Sequence, residues 1–308
     1  MGETPIPPTP RMAVPSHDRK CLNNRDSLMN RVPCARTLAA IGFFGGLLSG
    51  CANVSREVYT PPREEYGLIL ILPGIEGKSV WNRDLAHGLD DGGVASAIEV
   101  HDWTTGLPGG FMFNLTDYER NREQATRVAR RILEFRDRHP GRPVHLIGHS
   151  GGGGIAIMAL EALPPGRQID AAILLAPALS PEYDLTIALR RTRHGVHNFY
   201  SKNDVSFLKL GTSLFGSIDR EYGASAGAVG FRLPGGAPPD THRIYSARLH
   251  QVAWDSRLAK FGASGSHVGW ASARFAREYL AALIRHNEAR KPLSRRDESE
   301  SASAGGGL

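Results

Sequence analysis

Short apolar runs alternate with longer segments of helical period through the middle of the chain. Continuous apolar stretches of this length are typical of strands that are buried on both faces, as in a parallel sheet. On this pattern we predict six strands, at Leu68–Gly74, Ala95–Trp103, Val144–Ser150, Ala171–Leu179, Val196–Asp204 and Arg243–Trp254.

The segments between these strands predict helices. The clearest one has an apolar face at helical spacing with charged residues opposite, formed by Ala125, Val128, Ala129, Ile132 and Leu133. Thr116 and Glu119 have the spacing of a capping box at its start, and His139-Pro140-Gly141 ends it. Further helices are predicted at Val80–Asp91, Gly151–Leu163, Asp184–Arg191 and Val268–His286.

Strands that alternate with helices predict an α/β fold, with a mainly parallel sheet covered by helices on both faces. In such sheets the functional side chains lie at the carboxyl ends of the strands. The folded domain is predicted to span residues 67–286, with a Gly/Ala-rich insertion at about 210–240. A linker at 51–66 precedes it, and a disordered tail at 287–308 follows it.

The first 50 residues differ in composition from the rest of the chain. The opening 30 residues have no helical or strand period, so we expect them to be disordered or to precede the true start, with Met1 and Met29 as alternative starts. After Met29, two arginines precede an apolar run at Leu38–Leu48 that is too short to span a bilayer. This order of charge, apolar run and small residues is typical of a secretory signal.

The end of that signal, Leu48-Ser49-Gly50-Cys51, resembles the lipobox of bacterial lipoproteins. The resemblance implies cleavage before Cys51, a diacylglycerol on its thiol, and an exported protein that is anchored to a membrane of the cell envelope. Ala52, rather than Asp, after the cysteine implies an outer-membrane destination. The alternative is an ordinary secretory signal that ends near a cysteine.

Charge and cysteine usage exclude several classes of function. Six of the 37 basic and three of the 31 acidic residues precede residue 51, so the remainder carries a net charge of only +3 with the signs mixed. We therefore predict no nucleic-acid partner. The cysteines are Cys21, Cys34 and Cys51, so the folded domain is expected to have no disulfide and no thiolate metal site. No zinc-binding spacing occurs, and neither a metal nor a cofactor is expected.

The sequence Gly148-His149-Ser150-Gly151-Gly152 fits G-x-S-x-G between a predicted strand and a predicted helix. A sharp turn at the serine pushes its hydroxyl out of the sheet, and glycines two residues before and after avoid a collision across that turn. The helix that follows directs free N–H groups toward the site. Ser150 is therefore the candidate nucleophile, and His149 beside it is expected to point away.

From Leu68 to Arg285 the chain resembles the α/β-hydrolase family, in which the catalytic residues follow the order serine, acid, histidine. The resemblance implies that Asp204 is the acid and that His267 is the base. Asp255 remains a rival acid, because the interval from Asp204 to His267 is longer than the family usually has. The family's oxyanion donors correspond to the amides of Ile75 and Gly151, with that of Glu76 as an alternative.

These residues predict a serine hydrolase that cleaves carboxylic esters, a lipase or esterase. A thioesterase, amidase or acyltransferase would use the same triad, since the triad specifies acyl transfer but not the acceptor. Gly77-Lys78-Ser79 leaves nucleotide binding as a remote alternative, although the first glycine of a phosphate-binding loop would fall at Leu72. The third hypothesis is a lipoprotein that binds a ligand without catalysis.

Overall fold

Six parallel strands form one sheet in the order β2-β1-β3-β4-β5-β6 in the computed structural model. The structure describes residues 58–107, 110–204, 218–219 and 223–289. The strands are β1 (Leu68–Leu72), β2 (Ala97–Val100), β3 (Val144–His149), β4 (Ala171–Leu175), β5 (Val196–Tyr200) and β6 (Leu249–Ala253).

The helices occupy the connections between the strands and the part of the chain after β6. They are α1 (Val80–Asp91), α2 (Phe111–Thr116), α3 (Tyr118–Arg138), α4 (Gly151–Ala162), α5 (Thr186–Arg190), α6 (Ala226–Val229), α7 (Pro239–Arg248), α8 (Ser256–Ala259), α9 (Ala273–Phe275) and α10 (Ala281–Ala289). A π-helical turn, Ala276–Leu280, joins the last two. Two 3₁₀ helices lie at Pro61–Glu65 and Val268–Ala271.

Each face of the sheet packs against its own layer of helices. The even-numbered side chains of β1, Leu68, Leu70 and Leu72, belong to a buried cluster with residues of α3 and α4. Its odd-numbered side chains, Ile69 and Ile71, belong to a second cluster with α1 and the carboxyl-terminal helices. All five residues of β1 are buried, as expected for a central parallel strand. The predicted α/β class, with helices on both faces, is confirmed.

The amino-terminal cap of α3 differs from the prediction. The capping residue is Asp117, whose side chain accepts a hydrogen bond from the N–H of Arg120 at 3.1 Å. Thr116 instead ends α2, so the predicted capping box of Thr116 and Glu119 is wrong. Asp117, one residue later, also provides an oxygen that accepts an N–H of the first helical turn. Its carboxylate adds a negative charge at the positive end of the helix.

The prediction of a strand from Arg243 to Trp254 is wrong in its first half. Residues Pro239–Arg248 form α7, and only Leu249–Ala253 form a strand. Pro239 at the first helical position favours the helix, and Tyr245 packs inward from it with its hydroxyl accepting the N–H of Leu185 at 2.7 Å. The following residues pair with β5 at the edge of the sheet.

The predicted last helix, Val268–His286, is divided. A 3₁₀ helix covers Val268–Ala271, and Ser272 then caps a second helical segment by accepting the N–H of Phe275. That segment continues to Ala289, three residues beyond the prediction. The break leaves His267 at the start of a short, separate helix.

Several predictions fall outside the described residues. These are the signal with Cys51, residues 51–57 of the linker, residues 205–217 and 220–222 of the insertion region, and the tail from residue 290. Within the ranges that are described, no helix is both long and apolar enough to cross a membrane.

Candidate active site

Ser150 occupies a strained turn between β3 and α4. Its φ of 53° and ψ of −121° place a non-glycine residue in a region that side chains rarely adopt. A Cβ atom on Gly148 would lie 2.5 Å from the carbonyl oxygen of Gly152, and one on Gly152 would lie 2.2 Å from that of Leu72. Both glycines are therefore required for the close approach of the backbone at this turn, which fits the steric argument from the motif.

The two remaining glycines of the run have packing roles of their own. A Cβ on Gly153 would lie 2.8 Å from the ring of Pro177, and one on Gly154 would lie 2.7 Å from the side chain of Ile218. Pro177 belongs to the segment after β4, so the start of α4 packs tightly against the neighbouring strand end. The sequence motif alone did not account for these two residues.

Asp204 and His267 form a buried pair. The Nδ1 atom of His267 lies 2.8 Å from the Oδ2 atom of Asp204, and the residues are 9% and 2% exposed, respectively. Asp204 lies in the turn after β5, where its N–H donates to the carbonyl of Ser201. A carboxylate acceptor holds the proton on Nδ1, which leaves Nε2 as the basic nitrogen of the ring.

Asp255, the rival acid, has a different role. It caps α8, and its side chain accepts hydrogen bonds from the N–H and the guanidinium of Arg257. The Arg257 guanidinium holds the pKa of this carboxyl below its ordinary value. The structure therefore brings Asp204, and not Asp255, to His267.

The turn after β1 lies beside the start of α4. The N–H of Gly77 donates to the carbonyl of Gly74 at 3.1 Å, which fixes the peptide that carries the Ile75 N–H. A Cβ on Gly151 would lie 2.8 Å from the Ile75 side chain, so the residues that carry the two candidate oxyanion amides are neighbours. Gly77-Lys78-Ser79, the basis of the nucleotide alternative, completes this tight turn and caps α1.

Three side chains donate hydrogen bonds to the carbonyls of this turn, a role that no sequence motif indicates. The indole N–H of Trp103 donates to the carbonyl of Pro73 at 2.7 Å, the amide of Asn114 to that of Ile75 at 2.8 Å, and the amide of Asn82 to that of Gly77 at 3.1 Å. With its carbonyls directed at these donors, the turn has a fixed orientation for its N–H groups. No sequence motif marks residues that act through such distant contacts.

His149 contacts the segment that carries His267. Its Nε2 atom lies 3.0 Å from the backbone carbonyl oxygen of His267, and the two rings are 5.0 Å apart between centroids. Burial, together with the nearby charge of His267, lowers the pKa of His149 to about 3. The neutral ring of His149 therefore donates from Nε2 to the backbone of the candidate base and helps to fix its position. The sequence did not indicate this role.

Glu76 places a carboxylate next to the same turn. A Cβ on Gly74 would lie 2.2 Å from the Oε2 atom of Glu76, so this side chain folds back over Gly74. Burial raises the pKa of Glu76, against the opposing charge of His267. From the sequence, only the backbone amide of Glu76 is a candidate for the site. In the described part of the chain, no cluster of three or more His, Cys, Asp or Glu could hold a metal ion.

A family model described as serine aminopeptidase, S33, matches residues 64–214. No curated protein matches the chain. Among solved structures, a protein of the α/β hydrolase superfamily from Xanthomonas campestris pv. campestris is 21% identical, with a TM-score of 0.38 over 71% of this chain and 98% of that one.

Two further solved structures are similar at lower identity. The esterase domain of a Rhodothermus marinus protein is 14% identical, with a TM-score of 0.40 over 74% of this chain and 89% of that one. The dienelactone hydrolase-like promiscuous phosphotriesterase P91 from metagenomic libraries is 16% identical, with a TM-score of 0.44 over 71% and 85%. The parallel sheet with its two helical layers, together with the family match, shows that the chain has the α/β-hydrolase fold.

Proposed function

We propose that the protein is a serine hydrolase that cleaves carboxylic esters, with Ser150 as nucleophile, His267 as general base and Asp204 as the acid that orients it. One observation carries the proposal. The buried His267–Asp204 pair, at 2.8 Å, lies at the same edge of the sheet as a serine in a strained turn. An imidazole with its Nδ1 held by a carboxylate is the group that activates a serine hydroxyl.

In this mechanism the Oγ atom of Ser150 attacks the ester carbonyl as its proton passes to Nε2 of His267. The carboxylate of Asp204 stabilises the imidazolium that forms. His267 then gives the proton to the leaving alcohol, and an acyl-serine remains. Water, activated by the same imidazole, attacks the acyl-serine and releases the acid, which restores Ser150.

The amides of Ile75 and Gly151 are proposed to bind the oxyanion of the tetrahedral intermediate. Trp103 and Asn114 support this role because they fix the orientation of the turn that carries Ile75. Prearranged donors need no reorganisation during the reaction, and one donor typically contributes about 3–4 kcal/mol to the transition state. The amide of Glu76 stays an alternative to that of Ile75.

An apolar acyl group is the preferred substrate in this proposal. Leu107 and Phe113 are 67% and 64% exposed, and Phe113 directly precedes Asn114, whose amide binds the carbonyl of Ile75. Trp81, 37% exposed, is the second residue of α1, the helix that follows the turn. Exposed apolar side chains in segments next to a reactive turn favour a substrate with apolar surface to bury.

Amide hydrolysis at a peptide amino terminus is the second candidate. The matching family model describes a serine aminopeptidase, and the carboxylate of Glu76, folded over Gly74 in the turn after β1, is the proposed partner of a substrate ammonium group. Aminoacyl p-nitroanilides and neutral p-nitrophenyl esters separate the two candidates: faster turnover of the anilides would favour the peptidase.

Membrane anchoring through Cys51 stays a proposal that rests on the lipobox resemblance. Cells grown with labelled palmitate should yield labelled wild-type protein and unlabelled Cys51→Ala protein. Equal label in both, or none in the wild type, would exclude the anchor.

The main test is a series of p-nitrophenyl esters of increasing chain length, together with labelling by a fluorophosphonate. We expect wild-type protein to be active and labelled, and Ser150→Ala to lose both properties. Ser180→Ala is the matched control, because the Ser180 hydroxyl only accepts the N–H of Glu182. Equal ester turnover by wild type and Ser150→Ala would overturn the proposal, and so would wild-type protein that neither reacts nor labels.

A further inference from the structure

A cavity of about 150 Å³ lies at the amino ends of the strands, away from Ser150. One wall is apolar and is formed by Ile132, Leu133 and Leu163. Ser150 follows the carboxyl end of β3, whereas the cavity is bordered by residues that precede β4 and β5. At a rise of about 3.3 Å per residue, the six residues of β3 separate the two edges by roughly 16 Å.

The opposite wall of the cavity is basic. It contains the side chains of Arg136, Arg167 and Arg193. Arg136 donates to the carbonyl of Gln168 at 2.9 Å and to the carboxylate of Asp170 at 3.1 Å. The same wall therefore holds three guanidinium groups around a space with an apolar floor.

The positive charge of this wall is not fully balanced. Asp170 serves both Arg136 and Arg193, the latter at 3.4 Å, and it also accepts the backbone N–H of Val144 at 2.8 Å. Among the residues that the structure describes, Arg167 pairs only with the exposed Asp137, at 3.4 Å. Three cations thus face two carboxylates.

Arg136 carries the clearest sign of this imbalance. Burial lowers the pKa of its guanidinium, and the charges of Arg193 and Arg167 lower it further against the opposing charge of Asp170. Its Nε atom is buried and has no hydrogen-bond partner among the described residues. A buried donor without a partner is costly, so the groups around Arg136 do not satisfy its guanidinium in full.

We propose that this cavity binds a small carboxylate with a short apolar chain, its anionic group on the arginines and its chain against Leu133 and Leu163. A cavity of about 150 Å³ holds a body of benzene size, which is roughly six carbon atoms. Because an arginine fork matches a carboxylate, the two walls together favour an amphipathic anion over an inorganic ion. The site is independent of the proposed hydrolysis, since it shares no residue with it.

Titration calorimetry with hexanoate, at constant ionic strength, tests the site. The Ser150→Ala protein is used throughout, so that the result does not depend on turnover. We expect binding that falls about tenfold or more in the double variant Arg167→Gln/Arg193→Gln, because each lost charge-assisted hydrogen bond has an effect of that order. The control is Arg127→Gln, which replaces an exposed arginine on α3, the helix that carries Arg136. This variant should bind hexanoate as the parent protein does.

Two probes and one further variant separate charge from shape. Inorganic phosphate and 1-hexanol should each bind more weakly than hexanoate, since each satisfies only one wall. Leu133→Phe should reduce hexanoate binding without a change of charge, which guards against an arginine variant that misfolds. The proposal is overturned if hexanoate does not bind, if phosphate or hexanol binds as tightly, or if the double variant and Leu133→Phe both leave hexanoate binding unchanged.

Discussion

Carboxylates are buried at both ends of the parallel strands, here called the carboxyl edge and the amino edge. The groups that pair with these carboxylates differ between the two. At the carboxyl edge, Asp204 pairs with His267, whose imidazole has a second nitrogen left to accept a proton from a neighbouring group. At the amino edge, Glu64 is held by Arg131 at 2.8 Å and Arg138 at 2.7 Å. An arginine keeps its proton throughout, so this pair stays fixed in charge.

The difference shows how the partner decides the role of a buried acid. Burial alone would raise the pKa of Glu64, but hydrogen bonds from Arg131, Tyr59 and Arg138 lower it to about 2. That carboxylate stays charged at all but strongly acidic pH, and it ties the segment before β1 to α3. Asp204, with a histidine instead, leaves a movable proton at the edge that also holds the strained serine. We therefore expect substitutions at the carboxyl edge to change activity and substitutions at the amino edge to change stability.

The largest effect is expected at the carboxyl edge. Asp204→Asn should lower kcat for p-nitrophenyl esters by about 10⁴-fold, because the amide no longer stabilises the imidazolium or the correct tautomer. Asp255→Asn, the matched control, should change kcat by less than about threefold, since Asp255 caps α8 and pairs with Arg257 instead of His267. Steady-state kinetics of the two variants measure these changes in kcat. A greater loss of kcat in Asp255→Asn than in Asp204→Asn would show that Asp255 is the acid.

The next effect is expected at the amino edge, on stability instead of activity. Glu64→Gln should lower the free energy of unfolding at pH 7 by about 3 kcal/mol, the equivalent of its pKa shift from 4.5 to about 2. Its kcat should equal that of the wild type. Urea denaturation followed by ester kinetics measures both quantities. A Glu64→Gln protein with full stability would show that the arginine pairs contribute little.

The pH dependence of this difference has a definite sign. The folded-state pKa of Glu64 is lowered, so its contribution is complete above pH 4.5 and is lost as the pH falls toward 2. The stability difference between wild type and Glu64→Gln should therefore shrink across that window. The buried His145 and His197, with pKa values lowered to about 4 and about 3, also make wild type less stable below pH 6.5, but they act equally in both proteins.

A smaller effect is expected for His149. Replacement by leucine leaves the buried carbonyl of His267 without its donor, a change that typically costs 1–3 kcal/mol. We expect kcat to fall by about ten- to a hundredfold with KM unchanged, and His149→Gln, which keeps an N–H donor, to recover part of the loss. If leucine and glutamine variants lose stability alike but retain kcat, His149 is only a packing residue.

The smallest effect is expected for Glu76. Glu76→Gln removes a negative charge beside the turn, so esters with an anionic acyl group should gain relative to neutral esters. We expect a ratio of kcat/KM values that rises by about two- to fivefold, the size of a partly solvated charge interaction. A substrate with an ammonium group should lose by a similar factor, and an unchanged ratio for both would place the carboxylate outside the substrate's reach.

The fold was predictable because its signals are local and repeated. Strands such as Leu68–Leu72 are apolar at every position, and Gly148 and Gly152 record the close contacts of the serine turn within five residues of sequence. The predicted strand ends at Gly74, Trp103 and Asp204 extend beyond the observed ones, because the pattern does not mark where pairing stops and a functional turn begins.

The parts that the sequence did not predict depend on contacts between distant segments. Arg243–Arg248 has apolar residues that suit a helix or a strand, and packing of Tyr245 near Leu185 decides between them. Trp103 and Asn114 act on a turn some 30 to 40 residues away. The arginines of the cavity come from three separate connections, so no window of sequence shows them together.

The four glycines that open α4 have a consequence for folding. Each costs about 1 kcal/mol of helix propensity relative to alanine, so the first turn of this helix is unstable in isolation. Because these glycines lie against Pro177, Ile218 and the end of β1, we expect the turn to form after those neighbours are in place. We therefore expect substitutions there to speed unfolding and leave the folding rate nearly unchanged. Ser150 would then acquire its strained backbone in the last steps of folding, after the surrounding sheet has formed.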